Sequence, residues 1–470
     1  MKKLNLKHTS WINFIILFFI IILFRPIIAV DETRYLSVAW EMYLSKNYLL
    51  PLTLNFELYH HKPPLIFWLI NLSWNIFGIS RFSSTFPFLI TSFFLLISTK
   101  RLAQEILNEK YTNQNIIYYL LGSLCFLIYG FLILFDITLT LFIICSLIYL
   151  VKYSKSQKYR YSLKCGFFLG LALLTKGPVA FLHILPLMFL INFWTIKKIS
   201  IKKWTLFCFI SISISLLIFL VWLVPVLLNS TSDFKENLVF SQLIDRIYSE
   251  EGKTNLNIHS KPFWFYFVSF PALLLPWIFS ISFFKKLILV KKKLYIKKYR
   301  ILFIWIISVI FLHTLIEGKQ FHYILPILPA VIILFSKEIS EINYNILVVN
   351  IFFVVLIILH IALYKFNIFD KYNLVPLANY IKKHENKPIG YIGKYSGEIT
   401  YLGKLKKKID EVEKKKVELW FKNNPNGLLL FNFNKKKDED ITIVKNYKLL
   451  FEIKYKSRDI GVFSKQNYNL

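Results

Sequence analysis

Two carboxylates stand directly after the first long apolar run of the chain. Asp31 and Glu32 follow the run that extends from Trp11 to Phe24, and Lys62, further along, is followed at once by two prolines. Acids at the end of a membrane span, rather than in a loop far from it, predict chemistry at the lipid–water boundary. The mixed-charge segment that begins at Asp31 suits a polar substrate held beside lipid.

Two further charges interrupt apolar runs. Asp136 lies within LFDITL and Lys176 within LTKGPV, and either segment could be an ordinary tight turn. A lone carboxylate this close to hydrocarbon costs a few kcal/mol unless it is paired or hydrated, which favours a functional role for Asp136. For Lys176, an anionic partner and a structural turn are equally good explanations.

Lys62 is the strongest candidate for binding a phosphate. It precedes Pro63 and Pro64, and proline is favoured in the first turn of a helix. A phosphate could therefore meet Lys62 near a helix N-terminus. The other candidate substrate-binding residues are polar or cationic and lie near the ends of apolar runs: Glu32, Arg34, Tyr35, Tyr59, Lys176, Arg246, His259, Lys319 and Tyr323. An aromatic belt with ordinary interfacial cations explains Arg246 and His259 equally well.

These residue types suit transfer of a group from a lipid-anchored phosphate. Lys, Arg and His can neutralise a phosphate leaving group, and an Asp can act as base toward an attacking hydroxyl. The sequence contains no P-loop, dinucleotide fingerprint or zinc signature. A transporter is the rival class, but it predicts inverted repeats and charges near the middle of spans, whereas these charges lie at the ends.

The composition predicts a polytopic α-helical membrane protein. The chain has 470 residues, of which 56% are hydrophobic, and a mean hydropathy of +0.51. Its net charge of +31 comes from lysines clustered at the ends of apolar runs, as in membrane-protein loops, so we expect no nucleic-acid partner. The four cysteines lie in or beside apolar segments at spacings that fit no metal site.

The basic clusters set the predicted topology, with an uncleaved first helix and a cytoplasmic N-terminus. About eleven spans are expected: 11–30, 82–99, 115–134, 137–151, 162–174, 178–194, 204–228, 263–284, 301–316, 323–336 and 344–364. The short apolar segment from Pro64 to Gly78 is predicted to be re-entrant or to lie on the outer face. The loops 31–81 and 229–262 would then roof a polar site on that face.

The composition changes after Tyr364. Residues 365–470 are polar and carry short β-like runs at Ile389–Ile392, Gly427–Phe433 and Leu449–Tyr455, with a helix predicted near Leu377–His384. We therefore expect a transmembrane domain over 1–364 and a small extracytoplasmic α/β domain over 365–470.

At these residues the chain resembles the membrane-embedded C-type glycosyltransferases. It is most similar to the transferases that move aminoarabinose to lipid A, and more distantly to the protein O-mannosyltransferases. The matching segments occur in the family's order: Asp31-Glu32-Thr-Arg34-Tyr35, Tyr59-His-His-Lys62-Pro63-Pro64, Phe77-Gly78 with Arg81, Phe135-Asp136, Thr175-Lys176-Gly177-Pro178, His259 with Pro262-Phe-Trp-Phe-Tyr, and Lys319 with Tyr323-Ile-Leu-Pro326.

The resemblance implies roles for individual residues. Asp31 would be the catalytic carboxylate and Asp136 the second acid, while Lys62 and Arg34 would bind the phosphate of a polyprenyl-phosphate sugar. His61 stands where such enzymes often have a glutamate, which is a departure from the family's pattern. If a divalent metal binds at this position, His60 and His61 are its candidate ligands. No other cofactor is implied.

The expected function is transfer of an aminoarabinose- or hexose-type sugar from polyprenyl phosphate to lipid A or another envelope glycan. The expected location is the periplasmic face of a bacterial inner membrane. Three alternatives remain: an enzyme that glycosylates proteins, in the manner of the O-mannosyltransferases, a transporter or flippase of lipid-linked sugar, and a non-catalytic assembly protein.

Overall fold

The structure is a computed structural model that describes residues 6–49, 53–59, 61–107, 115–229, 261–286, 290–316, 318–342, 345–435 and 437–465. The helices of its N-terminal part are α1 (Leu6–Phe24), α2 (Asp31–Ser45), α3 (Leu65–Phe77), α4 (Arg81–Leu107), α5 (Ile116–Leu121), α6 (Leu124–Tyr129), α7 (Phe135–Ser156), α8 (Arg160–Lys176), α9 (Phe181–Phe189), α10 (Ile191–Trp194) and α11 (Ile201–Leu228). The helices that follow are α12 (Phe265–Ser269), α13 (Ile281–Lys286), α14 (Val290–Lys293), α15 (Lys297–Thr314), α16 (Leu328–Leu334), α17 (Ser336–Ser340) and α18 (Asn345–Lys365). A short hairpin of β1 (Thr53–Leu54) and β2 (Glu57–Leu58) follows α2.

The chain is a polytopic membrane protein, as its composition predicts. Within the described residues, six helical segments are long and apolar enough to cross a membrane: Leu6–Phe24, Arg81–Leu107, Phe135–Ser156, Arg160–Phe189, Ile201–Leu228 and Asn345–Lys365. Large apolar side chains are exposed along α11 and α18, and such surfaces are stable against lipid rather than water.

The run Arg160–Phe189 turns back on itself at Gly177. Lys176, the last residue of α8, pairs with Asp136 at the start of α7, so these two helices run antiparallel. Trp194, at the end of α10, lines the same cavity as Lys155 at the far end of α7. Gly177 has a φ of +74°, which favours glycine, and this turn separates the predicted segments 162–174 and 178–194.

Two of the predicted spans are not single helices. The segment 115–134 is broken into α5 and α6 because Ser123 is extended and the Leu124 N–H donates to the Leu275 carbonyl, outside the helix. The segment 263–284 contains Pro271 and Pro276, and the structure replaces one helix there with short helical turns. Proline removes a helical donor and clashes with the preceding turn, which accounts for the interruption.

The predicted span 323–336 is also interrupted. Where 323–336 was predicted, a 3-10 helix over Phe321–Ile327 leads into α16. The segment Pro64–Gly78 contains α3, an apolar helix of 13 residues that is too short to count among the six. Its predicted position in the membrane stays a prediction.

The C-terminal part is an α/β layer structure. Its helices and strands are α19 (Val375–Lys383), β3 (Ile389–Ile392), α20 (Thr400–Gly403), β4 (Asp410–Val412), α21 (Val417–Asn423), β5 (Leu428–Phe433), α22 (Asp438–Val444), β6 (Tyr447–Tyr455) and β7 (Arg458–Lys465). The sheet order is β4-β3-β5-β7-β6; β3 is parallel to β4 and β5, and the remaining pairs are antiparallel. Apolar clusters cover both faces, with α19 on one and α21 on the other.

The predicted C-terminal strands and helix are confirmed, whereas β4 and β7 were not predicted. By packing, the chain forms two compact units: one contains residues 1–19, 60–66 and 85–357, and the other contains 20–59, 67–84 and 358–470. We call these the first and second units. The sequence predicts that the chain leaves the membrane at residue 365, where the second domain begins. That boundary stays a prediction.

Within the second unit, α2 is attached to the C-terminal layers by buried hydrogen bonds. The Ser37 hydroxyl donates to the Gly397 carbonyl at 2.8 Å, and the Trp40 indole donates to the Leu405 carbonyl at 2.8 Å. A further bond, also 2.8 Å long, runs from the Asn55 amide to the Ile409 carbonyl. The helix that begins with Asp31 is therefore held in place by the sheet domain.

Candidate active site

The first unit holds a buried ion pair between two of the predicted residues. The Lys176 ammonium lies 2.5 Å from Asp136 Oδ1, and the two side chains are 7% and 3% exposed. Asp136 is the second residue of α7, where the positive end of the helix dipole stabilises a carboxylate. The pair explains how both charges exist among apolar helices, because burial of a single charge would be far more costly.

Aromatic and histidine side chains surround this pair. His322 Nε2 lies 3.9 Å from the second Asp136 oxygen, and the Lys176 ammonium lies 4.5 Å from the centre of the Tyr323 ring. The rings of His322 and Tyr323 meet edge to face, with centroids 4.8 Å apart. We call Asp136, Lys176, His322 and Tyr323 the buried cluster.

Lys62 adds a positive charge near the buried cluster. Its ammonium lies 5.7 Å from the centre of the Phe135 ring, and its charge acts on the Asp136 carboxylate together with those of Lys176 and His322. Lys319 is also buried, at 6% exposure, in the segment that carries His322. Among the described residues, two lysines, Lys62 and Lys176, thus act on one carboxylate, and positive charge of this kind attracts an anionic ligand.

The second unit carries Asp31 at the start of α2. Its side chain is 53% exposed and pairs with Arg34 one helical turn later. A carboxylate in the first turn is stabilised by the helix dipole and remains open to solvent and substrate. Of the two predicted acids, Asp31 is thus the accessible one.

Arg34 is held against two tyrosines. Its guanidinium lies 5.4 Å from the centre of the Tyr35 ring. Burial on its own would lower the pKa of Arg34, but the oxygens of Tyr59, Tyr35 and Asp31 outweigh that effect and raise the pKa. Arg34 therefore stays positively charged and can hold an anion at any physiological pH.

Both carboxylate oxygens of Glu32 accept hydrogen bonds from neighbouring groups of the same chain. Arg25 binds both carboxylate oxygens, at 2.7 and 3.0 Å, and the Ile28 N–H donates to one of them at 2.9 Å. The side chain is 4% exposed. This bidentate pair fixes the turn between α1 and α2, so it favours a structural role; substrate binding by Glu32 stays a prediction.

Several sequence candidates cannot be placed. His60, Arg246 and His259 lie outside the described residues, as does most of the predicted loop 229–262. His61 is described and exposed. Among the described residues, no group of three or more His, Cys, Asp or Glu side chains is arranged to hold a metal ion.

Two residues near these clusters were not among the predicted site residues. His322 contacts Asp136, and its place between Lys319 and Tyr323 was the available sequence signal. Glu398 lies close enough to Arg34 for their charges to interact, and burial raises the pKa of its carboxyl. It comes from the C-terminal layers, in a segment whose sequence gives no sign of a functional acid.

Each unit carries groups that can bind an anion, and the second unit also carries a carboxylate that can accept a proton. Lys62, Lys176 and Lys319 supply positive charge within the first unit, and Arg34 supplies it in the second. Asp31 is an exposed carboxylate that could take a proton from a hydroxyl. Asp136 is already bound to Lys176, and that contact orients the Lys176 ammonium.

Comparisons with known proteins agree with these features. Residues 61–224 match the family model described as dolichyl-phosphate-mannose-protein mannosyltransferase. The chain is 29% identical over 340 residues to an undecaprenyl phosphate-alpha-4-amino-4-deoxy-L-arabinose arabinosyl transferase of Wigglesworthia glossinidia brevipalpis, covering 71% of this chain and 58% of that protein. A protein of the same description from Enterobacter sp. (strain 638) is 24% identical over 73% of this chain and 60% of its own length. The chain thus spans less than two thirds of the length of these relatives.

Solved structures share the fold over nearly the whole chain. ArnT from Cupriavidus metallidurans bound to undecaprenyl phosphate superposes with a TM-score of 0.74 at 13% identity, covering 97% of both chains. The same protein in the apo state gives a TM-score of 0.70 at 13% identity, covering 97% of this chain and 98% of that one. At this identity the likeness is one of fold.

Proposed function

We propose that this chain transfers a sugar from a polyprenyl-phosphate donor. Its resemblance to the C-type glycosyltransferases is confirmed by its family match, its relatives and its fold. The observation that carries the proposal is that, among the described residues of the first unit, both Lys62 and Lys176 act on the buried Asp136 carboxylate. Cations held among apolar helices suit a phosphate that is anchored in lipid. The names of the two relatives, which specify an undecaprenyl-phosphate-linked aminoarabinose, support the same donor class.

The proposed reaction needs a leaving phosphate and an attacking oxygen. An acceptor oxygen attacks the anomeric carbon of the donor, the bond from that carbon to the phosphate oxygen breaks, and polyprenyl phosphate leaves with the bonding electrons. If the acceptor group is a hydroxyl, its proton passes to Asp31. As the sequence resemblance implies, Lys62 and Arg34 stabilise the negative charge that grows on the phosphate. Within the first unit, Asp136 orients the Lys176 ammonium.

We propose lipid A or another envelope glycan as the acceptor. The support is the description of the relatives as aminoarabinose transferases together with the sequence resemblance to that group. A protein acceptor is the second candidate, favoured by the match of residues 61–224 to the protein mannosyltransferase model. The sugar would be of the aminoarabinose type in the first case and a hexose in the second.

The proposed location is the inner membrane of a bacterium, with the N-terminus in the cytoplasm and residues 365–470 in the periplasm. The lysine clusters at the ends of the apolar runs support this orientation. A lipid-linked donor fits it, because nucleotide sugars are not available outside the cytoplasm.

A transfer assay with the purified full chain tests the function. The chain in detergent is given a polyprenyl-phosphate sugar of each type, with lipid A or with envelope protein as acceptor, and mass spectrometry follows the acceptor. A mass increase of one sugar on lipid A supports the first candidate, and one on protein supports the second. Movement of the donor across a proteoliposome membrane with neither acceptor modified would instead make the chain a transporter.

A further inference from the structure

The second unit contains a cavity that the proposed reaction does not use. Its volume is about 380 Å³, within the range of small-ligand pockets. None of the described residues assigned to donor binding or catalysis lines it. Its polar lining residues include Ser80, Arg81, Asp370, Tyr401 and Lys404.

The cavity is bordered by the ends of three membrane helices. Leu23 and Phe24 belong to the last turn of α1, Arg81 is the first residue of α4, and Tyr364 is next to the last residue of α18. Leu23 and Tyr364 are also exposed, at 67% and 52%. A cavity at such helix ends lies at the level of lipid headgroups, with apolar surface beside it for acyl chains.

Lys404 brings a positive charge into this cavity. Its ammonium lies 3.2 Å from the centre of the Tyr401 ring and 5.2 and 5.7 Å from the centres of the Trp40 and Trp74 rings. Within the described part of the chain, no carboxylate forms an ion pair with it, and burial lowers the pKa of Lys404 to about 7. Ring faces attract a cation but do not neutralise it, so an anion in the cavity would be stabilised there.

Among the described lining residues, Arg81 is the second cation and Asp370 is the only carboxylate. Arg81 donates one N–H to the Ile21 carbonyl at 2.9 Å, which holds its guanidinium at the end of α1. Asp370 is exposed and therefore lies where solvent screens it. With Lys404 protonated, two cations and one carboxylate give the lining one net positive charge, which matches the single negative charge of a phosphodiester.

We propose that this cavity binds the phosphodiester headgroup of an anionic membrane phospholipid, at a site separate from that of the sugar donor. Arg81 and Lys404 hold the phosphate, and the apolar walls from α1 and α18 accept the adjoining glycerol and upper acyl chains. The proposal does not depend on the identity of the transferred sugar or of the acceptor.

Native mass spectrometry of the full chain tests the site, with phosphatidylglycerol and phosphatidylcholine as probes. We expect the wild type to retain phosphatidylglycerol and to lose phosphatidylcholine. Lys404→Gln should weaken phosphatidylglycerol retention about tenfold or more, because a hydrogen bond to a charged group is lost. Lys404→Arg should keep most of it, and Lys407→Gln is the matched control, since Lys407 is an exposed lysine in the same segment.

Asp370→Asn should change phosphatidylglycerol binding in the opposite direction, and we expect it to fold because Asp370 is exposed. It should tighten phosphatidylglycerol binding, because it removes the one carboxylate of the lining. Equal retention by the wild type, Lys404→Gln and Asp370→Asn would overturn the proposal. The comparison of phosphatidylglycerol retention by Asp370→Asn and by the wild type tests the proposal even if Lys404→Gln fails to fold.

Two competitors distinguish the source of the phosphate. Inorganic phosphate should not displace phosphatidylglycerol, and polyprenyl phosphate should not displace it from the Lys404-dependent site. Displacement by inorganic phosphate would make this a site for the free ion, and displacement by polyprenyl phosphate would make it part of the donor site. Either result would overturn a separate phospholipid site.

Discussion

Replacing Lys176 with methionine should destabilise the protein by about 3–5 kcal/mol. Methionine keeps most of the length of the side chain but leaves the Asp136 carboxylate, which is 3% exposed, without its partner at 2.5 Å. His322, at 3.9 Å, can compensate only in part, because it carries a charge only when protonated. Removing one member of a buried pair is costly because it leaves an uncompensated charge, whatever the net contribution of the intact pair.

The free energy of unfolding can be measured in mixed micelles titrated with a denaturing detergent. The control is Lys416→Met, which breaks an ion pair with Glu413 whose side chains are 60% and 69% exposed; its expected cost is about 0.2–1 kcal/mol. The double variant Asp136→Asn/Lys176→Met should recover much of the lost stability, because neither charge remains, while transfer activity stays low. If Lys176→Met cost no more than Lys416→Met, the Asp136 carboxylate would not depend on Lys176 for charge compensation in the way that the geometry indicates.

The remaining predictions concern the donor, pH and orientation. Lys62→Ala should weaken productive donor use by about ten- to a hundredfold because a charged contact to phosphate is lost, and Lys62→Arg should recover part of that loss. Equal inhibition of Lys62→Ala and the wild type by sugar-free polyprenyl phosphate would count against that contact. Burial raises the pKa of Glu41 from 4.5 to about 7, so its contribution to stability is full below pH 4.5 and is lost as the pH rises through 7. Melting curves of Glu41→Gln should lack this pH dependence, and a pH profile equal to that of the wild type would contradict the prediction. A cysteine at Ser80 should react with an impermeant thiol reagent added outside the cell and one at Ser156 should not, and the reverse labelling would invert the proposed topology.

The sequence predicted the chemical character of the site better than its contacts. Asp136 and Lys176 each stood out as a charge between apolar runs, since hydrocarbon tolerates few charges. That they pair with each other depends on the antiparallel packing of α7 and α8, which sequence spacing alone does not reveal. His322 joined the cluster for the same reason.

The limits of the fold prediction have similar physical causes. Hydropathy identified most long apolar helices, but it could not detect breaks such as the one at Ser123, where a tertiary backbone hydrogen bond replaces a helical one. The three-residue strand β4 begins at Asp410 and includes two acidic residues, so no β-like alternation marks it. β7 was missed although it pairs with both β5 and β6; Gly461 interrupts its apolar pattern.

The most direct test of the proposed glycosyl transfer is the rate of release of polyprenyl phosphate from the sugar donor by the wild type and by Asp31→Asn. The substitution keeps the size of the side chain and removes its charge at a half-exposed position at the start of α2, so we expect an unchanged melting temperature. With a hydroxyl acceptor, the account predicts acceptor-dependent release by the wild type and a rate at least about a hundredfold lower for Asp31→Asn. Equal rates for the two proteins with that acceptor would contradict the assignment of Asp31 as the base, and no release by the wild type with either sugar class and any of the proposed acceptors would contradict glycosyl transfer itself.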